Sequence, residues 1–378
     1  MEAKERKDAA ERDRHVCIVC ESWESGGIEG FVSNFLLHMD RERLRVDIVA
    51  AQLGESVFTQ PLEEAGIRFI ELSGKLHRPW ENYNTFRHLL DRERYDVVHL
   101  NAFQGMSLNY LKLAEAAGVP IRIAHSHNTA LRKSSTKWIK LMIHKICREA
   151  FAKYATEYWA CSIKAAQFLF PSRVTDSQKL QVVPNGIDVE RFQRNNLRRR
   201  QARSELGIQE WQLVIGHVGR LCDQKNQSFL IDIFANIRKQ KAGSVLLFVG
   251  GGDRTALEEK AKRLGLQDCV IIYGTTDKVE RLLWAMDIFV FPSLFEGFGI
   301  VMLEAQAAGL PVLCSDHIPE EARFLPSTYV LPLEDGAEKW AGQVLRIRND
   351  IPDQSENIRK AGYAISDVAA RIRSSYFQ

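Results

Sequence analysis

Hydrophobic patterning predicts an α/β protein built from two Rossmann-like domains in tandem. Short apolar runs of strand length alternate with helix-period segments along nearly the whole chain, the pattern of βαβ units stacked into parallel sheets. The series restarts once, after the turn-forming Pro184-Asn185-Gly186. At 378 residues the chain also exceeds what a single hydrophobic core ordinarily organises.

The first strand is read at Val16–Cys20. Gly26-Gly27 follows, then Ile28, Phe31, Val32, Phe35 and Met39 at helical spacing, which makes a βαβ unit with the next strand at Val46–Ala50. Further strands are expected near Ile67–Ile70, Val97–Leu100, Ile121–Ala124, Tyr158–Cys161 and Gln181–Val183. A polar, arginine-rich stretch up to Arg203 reads as the passage into the second domain. Strands there are expected near Leu213–Val218, Val245–Val249, Val270–Tyr273, Ile288–Phe291 and Val312–Cys314. Beyond Pro332 the pattern is helical, with Tyr363, Ile365, Val368, Ile372 and Phe377 as a packing stripe. The domains are accordingly placed at 15–188 and 189–360. The first fourteen residues mix acids and bases without an apolar run, which reads as a solvated lead-in and not a signal peptide or anchor.

With 45% hydrophobic and 26% charged residues the chain has the make-up of a soluble globular protein, and a net charge of +3 leaves no nucleic-acid footprint. Seven scattered cysteines fit a reducing cytoplasm. Cys17 and Cys20 form a C-x-x-C inside the first strand, and no second ligand pair follows, so packing is expected there in place of metal or redox chemistry. No stretch reaches the ~20 apolar residues of a membrane span.

The strongest functional signal is Pro292–Pro311, a strand end, a glycine-rich turn and a short apolar helix starting near Gly299. Glu304 shares a helical face with Ile300, Leu303, Ala307 and Ala308, so its carboxylate needs a partner if buried, and a hydroxyl-rich ligand would serve. Glu296 stands on the preceding loop, where Gly297 and Gly299 let backbone N–H groups approach an anion. Exposed acids with no ligand are the plainer reading of both. Glycines recur at strand ends in Ser25-Gly26-Gly27 and Val249-Gly250-Gly251-Gly252-Asp253, where they serve either a tight turn or a phosphate. His125 and His127 end a strand with no further ligand at metal spacing, and residues two apart share a face, so the spacing does not separate them.

Taken together and in order, these motifs resemble the retaining nucleotide-sugar glycosyltransferases of family 4, with the closest resemblance to bacterial exopolysaccharide and capsule assembly enzymes. That resemblance covers the chain from about His15 onward. It implies the GT-B fold, two facing Rossmann-like domains with the active site in the cleft, and a last helix, here 361–378, that returns to the N-terminal acceptor-binding domain. In Gly219-Arg220-Leu221-Cys222-Asp223-Gln224-Lys225-Asn226, Arg220 and Lys225 resemble the cation pair that neutralises the leaving diphosphate. His127, in preference to His125, would stand near the transferred sugar. Glu296 would bind donor-sugar hydroxyls and Glu304 the ribose, with amides of Gly297, Phe298, Gly299, Ile300 and Val301 along phosphate and sugar. Gly26, Gly27, Gly219, Gly252 and Asp277 would line the donor, and His125 and Asn185 would support. Where related motifs have leucine and proline after Glu-Gly, this chain has Phe298 and Gly299.

The resemblance implies a cytoplasmic, metal-independent enzyme that needs no cofactor and moves a sugar from a UDP-linked donor to a glycan or lipid-linked acceptor. A sugar-nucleotide epimerase, or a nucleotide-sugar-binding protein without turnover, are the alternatives. The segment 131–153 is basic and amphipathic, with Lys133, Lys137, Lys140, Lys145 and Arg148 around Trp138, Ile139, Met142 and Ile146. It suits peripheral contact with the inner membrane surface, or equally a domain helix with a solvated basic face.

Overall fold

A computed structural model describes residues 13–131, 137–348 and 351–378. Most of the expected lead-in, and positions 132–136 of the basic segment, lie outside the described residues; Arg14 already belongs to the first strand. The chain forms two compact units, one holding the chain up to Gly186 together with Ile365–Gln378, the other Ile187–Ala364.

The first unit is a parallel sheet of seven strands, β1 (Arg14–Trp23), β2 (Leu44–Leu53), β3 (Arg68–Glu71), β4 (Val97–Ala102), β5 (Ile121–Ser126), β6 (Glu157–Ala160) and β7 (Leu180–Val182). They lie in the order β3-β2-β1-β4-β5-β6-β7. The central strands read as continuous apolar runs because helices cover both faces. Val16, Ile18, Phe31, Phe35, Ile48 and Ile123 are all fully buried in one cluster, each side chain contributing about 1.5–3 kcal/mol on burial. The closing helix, Ile365–Tyr376, packs Val368, Ala369, Ile372 and Tyr376 into the same cluster. Of the expected stripe, Tyr363 precedes this helix and Phe377 is only partly buried, while Tyr376 is fully buried.

The second unit has β8 (Val214–Val218), β9 (Val245–Val249), β10 (Val270–Ile272), β11 (Ile288–Phe291), β12 (Val312–Ser315) and β13 (Thr328–Leu331), again parallel, in the order β10-β9-β8-β11-β12-β13. Ile187 donates its N–H to the Tyr363 carbonyl and bridges to Ala364, so the chain enters and leaves this unit on paired backbone. The arginine-rich passage is a helix, Asn196–Glu205, capped by the Asn195 side chain. Its Arg199 and Arg203 each bind Asp287, at 2.6 Å, and Arg203 is 1% exposed. The polar passage is therefore built partly into the interior of the second unit.

Candidate active site

In an open parallel sheet, ligands bind outside the carboxyl ends of the strands where the strand order reverses. In the second unit that place lies between β8 and β11, whose following loops carry Gly219–Asn226 and Pro292–Gly299. The two loops are tied together. Leu294 N–H donates to the Gln224 carbonyl (2.8 Å), Gln224 Nε2 to the Phe295 carbonyl (2.9 Å) and Asn226 Nδ2 to the Pro292 carbonyl (3.2 Å). Lys225 Nζ reaches Glu296 Oε1 at 2.6 Å and lies 4.8 Å from the centre of the Phe291 ring. Two residues 71 positions apart thus form a largely buried ion pair. Arg220 is exposed at the start of its loop. Its carbonyl accepts from Gln227 Nε2 (2.8 Å), and Gln227 also donates to His217, whose other ring nitrogen donates to the Val290 carbonyl (2.9 Å).

Glycine has two separate uses here. A Cβ on Gly250 would fall 2.1 Å from the Gly219 carbonyl oxygen, and one on Gly252 2.6 Å from that of Leu221, so these glycines let the β8 and β9 loops lie backbone against backbone. That packing accounts for Gly250 and Gly252 without a ligand. At Gly299 (φ +88°) the left-handed turn starts the helix Ile300–Ala307 with no side-chain cap, which leaves its first N–H groups for an anion. Phe298 departs from the family pattern for a visible reason: its ring is buried and lies 5.2 Å from that of Tyr363.

Glu304 is the most informative acid. Its half-buried carboxyl makes no hydrogen bond among the described residues, and desolvation pushes its pKa up to about 7, with Arg191 pulling it down and Glu280 pushing it up. The sequence reading missed those two neighbours. Arg191, capped through its N–H by Asp188, binds Glu280 (2.8 Å) and the carbonyl of Asp277. It therefore ties down the loop after β10, while the Asp277 side chain itself is exposed.

In the first unit Gly26 and Gly27 open the helix Gly27–His38 after β1, again with no side-chain cap. A Cβ at Gly27 would meet nothing, so packing does not demand that glycine. His125 and His127 differ. His125 is 0% exposed and bonds through Nδ1 to His99 (3.1 Å), which bonds Tyr376 of the closing helix (2.7 Å). His127 lies just past β5, 7% exposed, and its Nε2 meets Asn101 Oδ1 at 2.9 Å. Burial pushes both imidazoles down, His127 to about 3. Asn185 is buried, with its Oδ1 unpartnered. Among the described residues one cluster has metal-ligand spacing, His15, Asp47 and Glu93. Arg68 already binds both carboxylates, at 2.6 and 3.0 Å.

Residues 25–191 match the family described as Glycosyltransferase Family 4, and residues 212–350 match Glycosyl transferases group 1. Between them the two matches take in most of the chain. The protein belongs to glycosyltransferase family 4. EpsF of Bacillus subtilis (strain 168) is 29% identical to this family 4 chain over 338 residues, 88% of it and 87% of EpsF. The UDP-Gal:alpha-D-GlcNAc-diphosphoundecaprenol alpha-1,3-galactosyltransferase of Escherichia coli is 29% identical over 232 residues, 60% of this chain and 59% of that enzyme. The crystal structure of Anabaena Alr3699/HepE in complex with UDP and glucose superposes with a TM-score of 0.78 at 18% identity, covering 96% of this chain and 99% of that one. The fold of this family 4 glycosyltransferase is GT-B, two Rossmann-like units with parallel sheets.

Proposed function

We propose that this glycosyltransferase is a retaining enzyme that moves a sugar from a UDP-linked donor to a glycan or lipid-linked acceptor in exopolysaccharide assembly. The observation that carries the donor half is Glu304, a desolvated carboxyl with no hydrogen-bond partner among the described residues, on the helix after β11 at the switch point that also holds Lys225. A carboxylate accepts from two ribose hydroxyls at once. UDP and the lipid diphosphate acceptor come from the names of the relatives: UDP stands with HepE, and the E. coli galactosyltransferase acts from UDP-Gal on a diphosphoundecaprenol-linked sugar. In the reaction, the bond from the anomeric carbon to the diphosphate oxygen breaks. The acceptor oxygen bonds that carbon on the same face, and the acceptor proton passes to the leaving diphosphate. Arg220 and Lys225 stabilise the charge that develops there, so no metal is required. Transfer is expected to survive EDTA; loss on chelation with recovery on adding a divalent ion would contradict this.

The Glu304 ionisation supplies a test. If the ribose prefers the carboxylate, affinity rises with pH as the free protein passes through about pH 7. Titration calorimetry with UDP at pH 6 and pH 8 is expected to show that rise. Glu304→Gln should flatten it and cost about 1.5–3 kcal/mol at pH 8. The terminal phosphate of UDP also titrates near pH ~6, but equally for both proteins. An identical profile in the variant would remove Glu304 from the ribose site.

The acceptor half includes peripheral membrane contact. The helix Lys137–Phe151 docks by its polar side: His144 accepts from the Gly105 N–H and donates to the Phe168 carbonyl, each 2.9 Å. Its solvent face carries Trp138, Met142 and Ile146 at 66%, 55% and 64% exposed, with Ile139 and Ile143 beside them. Lys140 and Lys145 are also exposed. An apolar stripe edged by lysines suits the boundary of an anionic bilayer. Co-sedimentation with anionic vesicles is expected at low salt and reduced at high salt, and Trp138→Ser with Ile146→Ser should abolish it. Absence of binding at low salt would leave the helix without this role.

A further inference from the structure

His127 Nε2 faces Asn101 Oδ1 at 2.9 Å, and an amide oxygen only accepts, so that nitrogen must carry the proton. The Asn101 amide nitrogen is turned the other way, toward Cys20 Sγ at 3.9 Å. The second ring nitrogen, Nδ1, makes no hydrogen bond among the described residues and is not one of the sealed, unpartnered atoms; the sealed one in this pair is Nε2 of His125. The pairing follows from the fold. Asn101 and His125 are register partners on β4 and β5, and His127, two residues on, folds back over the end of β4.

We infer that Asn101 is a positioning residue that fixes His127 in the Nε2-protonated tautomer and so presents Nδ1 as a hydrogen-bond acceptor to a hydroxyl of the bound sugar or acceptor. The inference rests on the reading of His127 as facing the reacting sugar. It assigns His127 a lone pair, and excludes it as a proton donor in the reaction. Around the ring stand His99 beside Asn101 on β4, His125 on β5, Cys20 on β1 with Glu29 near its thiol, and Phe31 of the helix Gly27–His38. Burial holds the imidazole uncharged through the working pH range.

The test is the nitrogen NMR spectrum of the full chain labelled with 15N-histidine, with His127 assigned through His127→Gln. The expected result in the nucleotide-free protein is a neutral ring from pH 5 to pH 8, protonated at Nε2 only. Asn101→Leu should replace that single tautomer by a mixture. Asn101→Asp, which sets a carboxylate against Nε2, should make the ring protonate within that pH range and give the transfer rate at saturating donor a pH step that the parent enzyme lacks. A parent ring protonated at Nδ1, or a single Nε2 tautomer that persists in Asn101→Leu, would overturn the inference, and the parent spectrum decides it even if neither variant folds. The catalytic reading fails separately, by full transfer activity in His127→Gln.

Discussion

Replacing Lys225 by alanine is expected to lower turnover at saturating donor by about a hundred- to a thousandfold, the usual effect of removing one fixed charge-stabilising group from a transition state. The leaving diphosphate gains charge as the glycosyl bond breaks, and Lys225 stands at the switch point of the second sheet, held by Glu296 at 2.6 Å. The same substitution removes the ion-pair partner of Glu296, which is 7% exposed, so stability should also fall, by up to about 3 kcal/mol. The two effects separate when the double variant Lys225→Ala with Glu296→Gln is compared with Glu296→Gln alone: the two should be similar in stability, and the double variant should turn over far more slowly. Steady-state rates and urea unfolding on the same samples measure both. Arg220→Ala, at an exposed position, should reduce turnover with little change in stability. Equal turnover in Glu296→Gln and in the double variant would make Lys225 a structural residue.

The largest stability effect is expected at Asp47, on β2 of the first sheet. Its fully buried carboxylate accepts from His15 Nε2 (2.8 Å), from Arg68 (2.9 and 2.6 Å) and from the Tyr95 hydroxyl (2.7 Å). Burial alone would raise its pKa; the hydrogen bonds from His15, Arg68 and Tyr95 more than reverse this and hold it well below the ordinary carboxylate range. Asp47→Asn is expected to cost about 3–5 kcal/mol, because the charge-assisted hydrogen bonds to His15 and Arg68, worth about 1.5–3 kcal/mol each, are lost at a buried position, even though Arg68 keeps Glu93. The sign of the pH dependence follows from the depressed value. Asp47 contributes its full stabilisation above the unfolded pKa of ~3.9, and that contribution is lost as pH falls toward the folded value. Urea midpoints of the parent should therefore drop steeply below pH ~4, and the variant should lack this part of the slope. Equal stability of the two proteins at pH 7 would show that the network does not hold β1, β2 and β3 together.

The α/β alternation was legible because strands buried on both faces write long apolar runs, as in Val16–Cys20 and Ile288–Phe291. Strand β13 left no such run: Thr328–Leu331 is four residues on the sheet edge, none of them fully buried. Arg199 and Arg203 read only as part of a polar passage between domains because composition does not reveal that Asp287, more than eighty positions on, meets both; their spacing of four, on one helical face, was the available hint. The site divides the same way. Lys225 and Glu296 are recognisable within their motifs, but their contact across 71 positions belongs to the sheet topology. Arg191, Glu280 and Asn101 carry no motif and emerge only where the fold brings them beside Glu304 and His127. The glycines of Gly250-Gly251-Gly252 looked like a nucleotide cradle, and a close backbone approach explains two of them instead.

A nucleoside diphosphate-sugar site at the carboxyl edge of the second sheet should show in the unfolding temperature measured across a panel of nucleotide sugars and nucleotides. UDP and UDP-sugars are expected to raise it in a saturable way, by the equivalent of about 2.7 kcal/mol at a hundredfold excess over Kd, with the shift lost in Glu304→Ala and weakened in Arg220→Ala. No stabilisation by any nucleoside diphosphate, or the same stabilisation in Glu304→Ala as in the parent protein, would contradict the account.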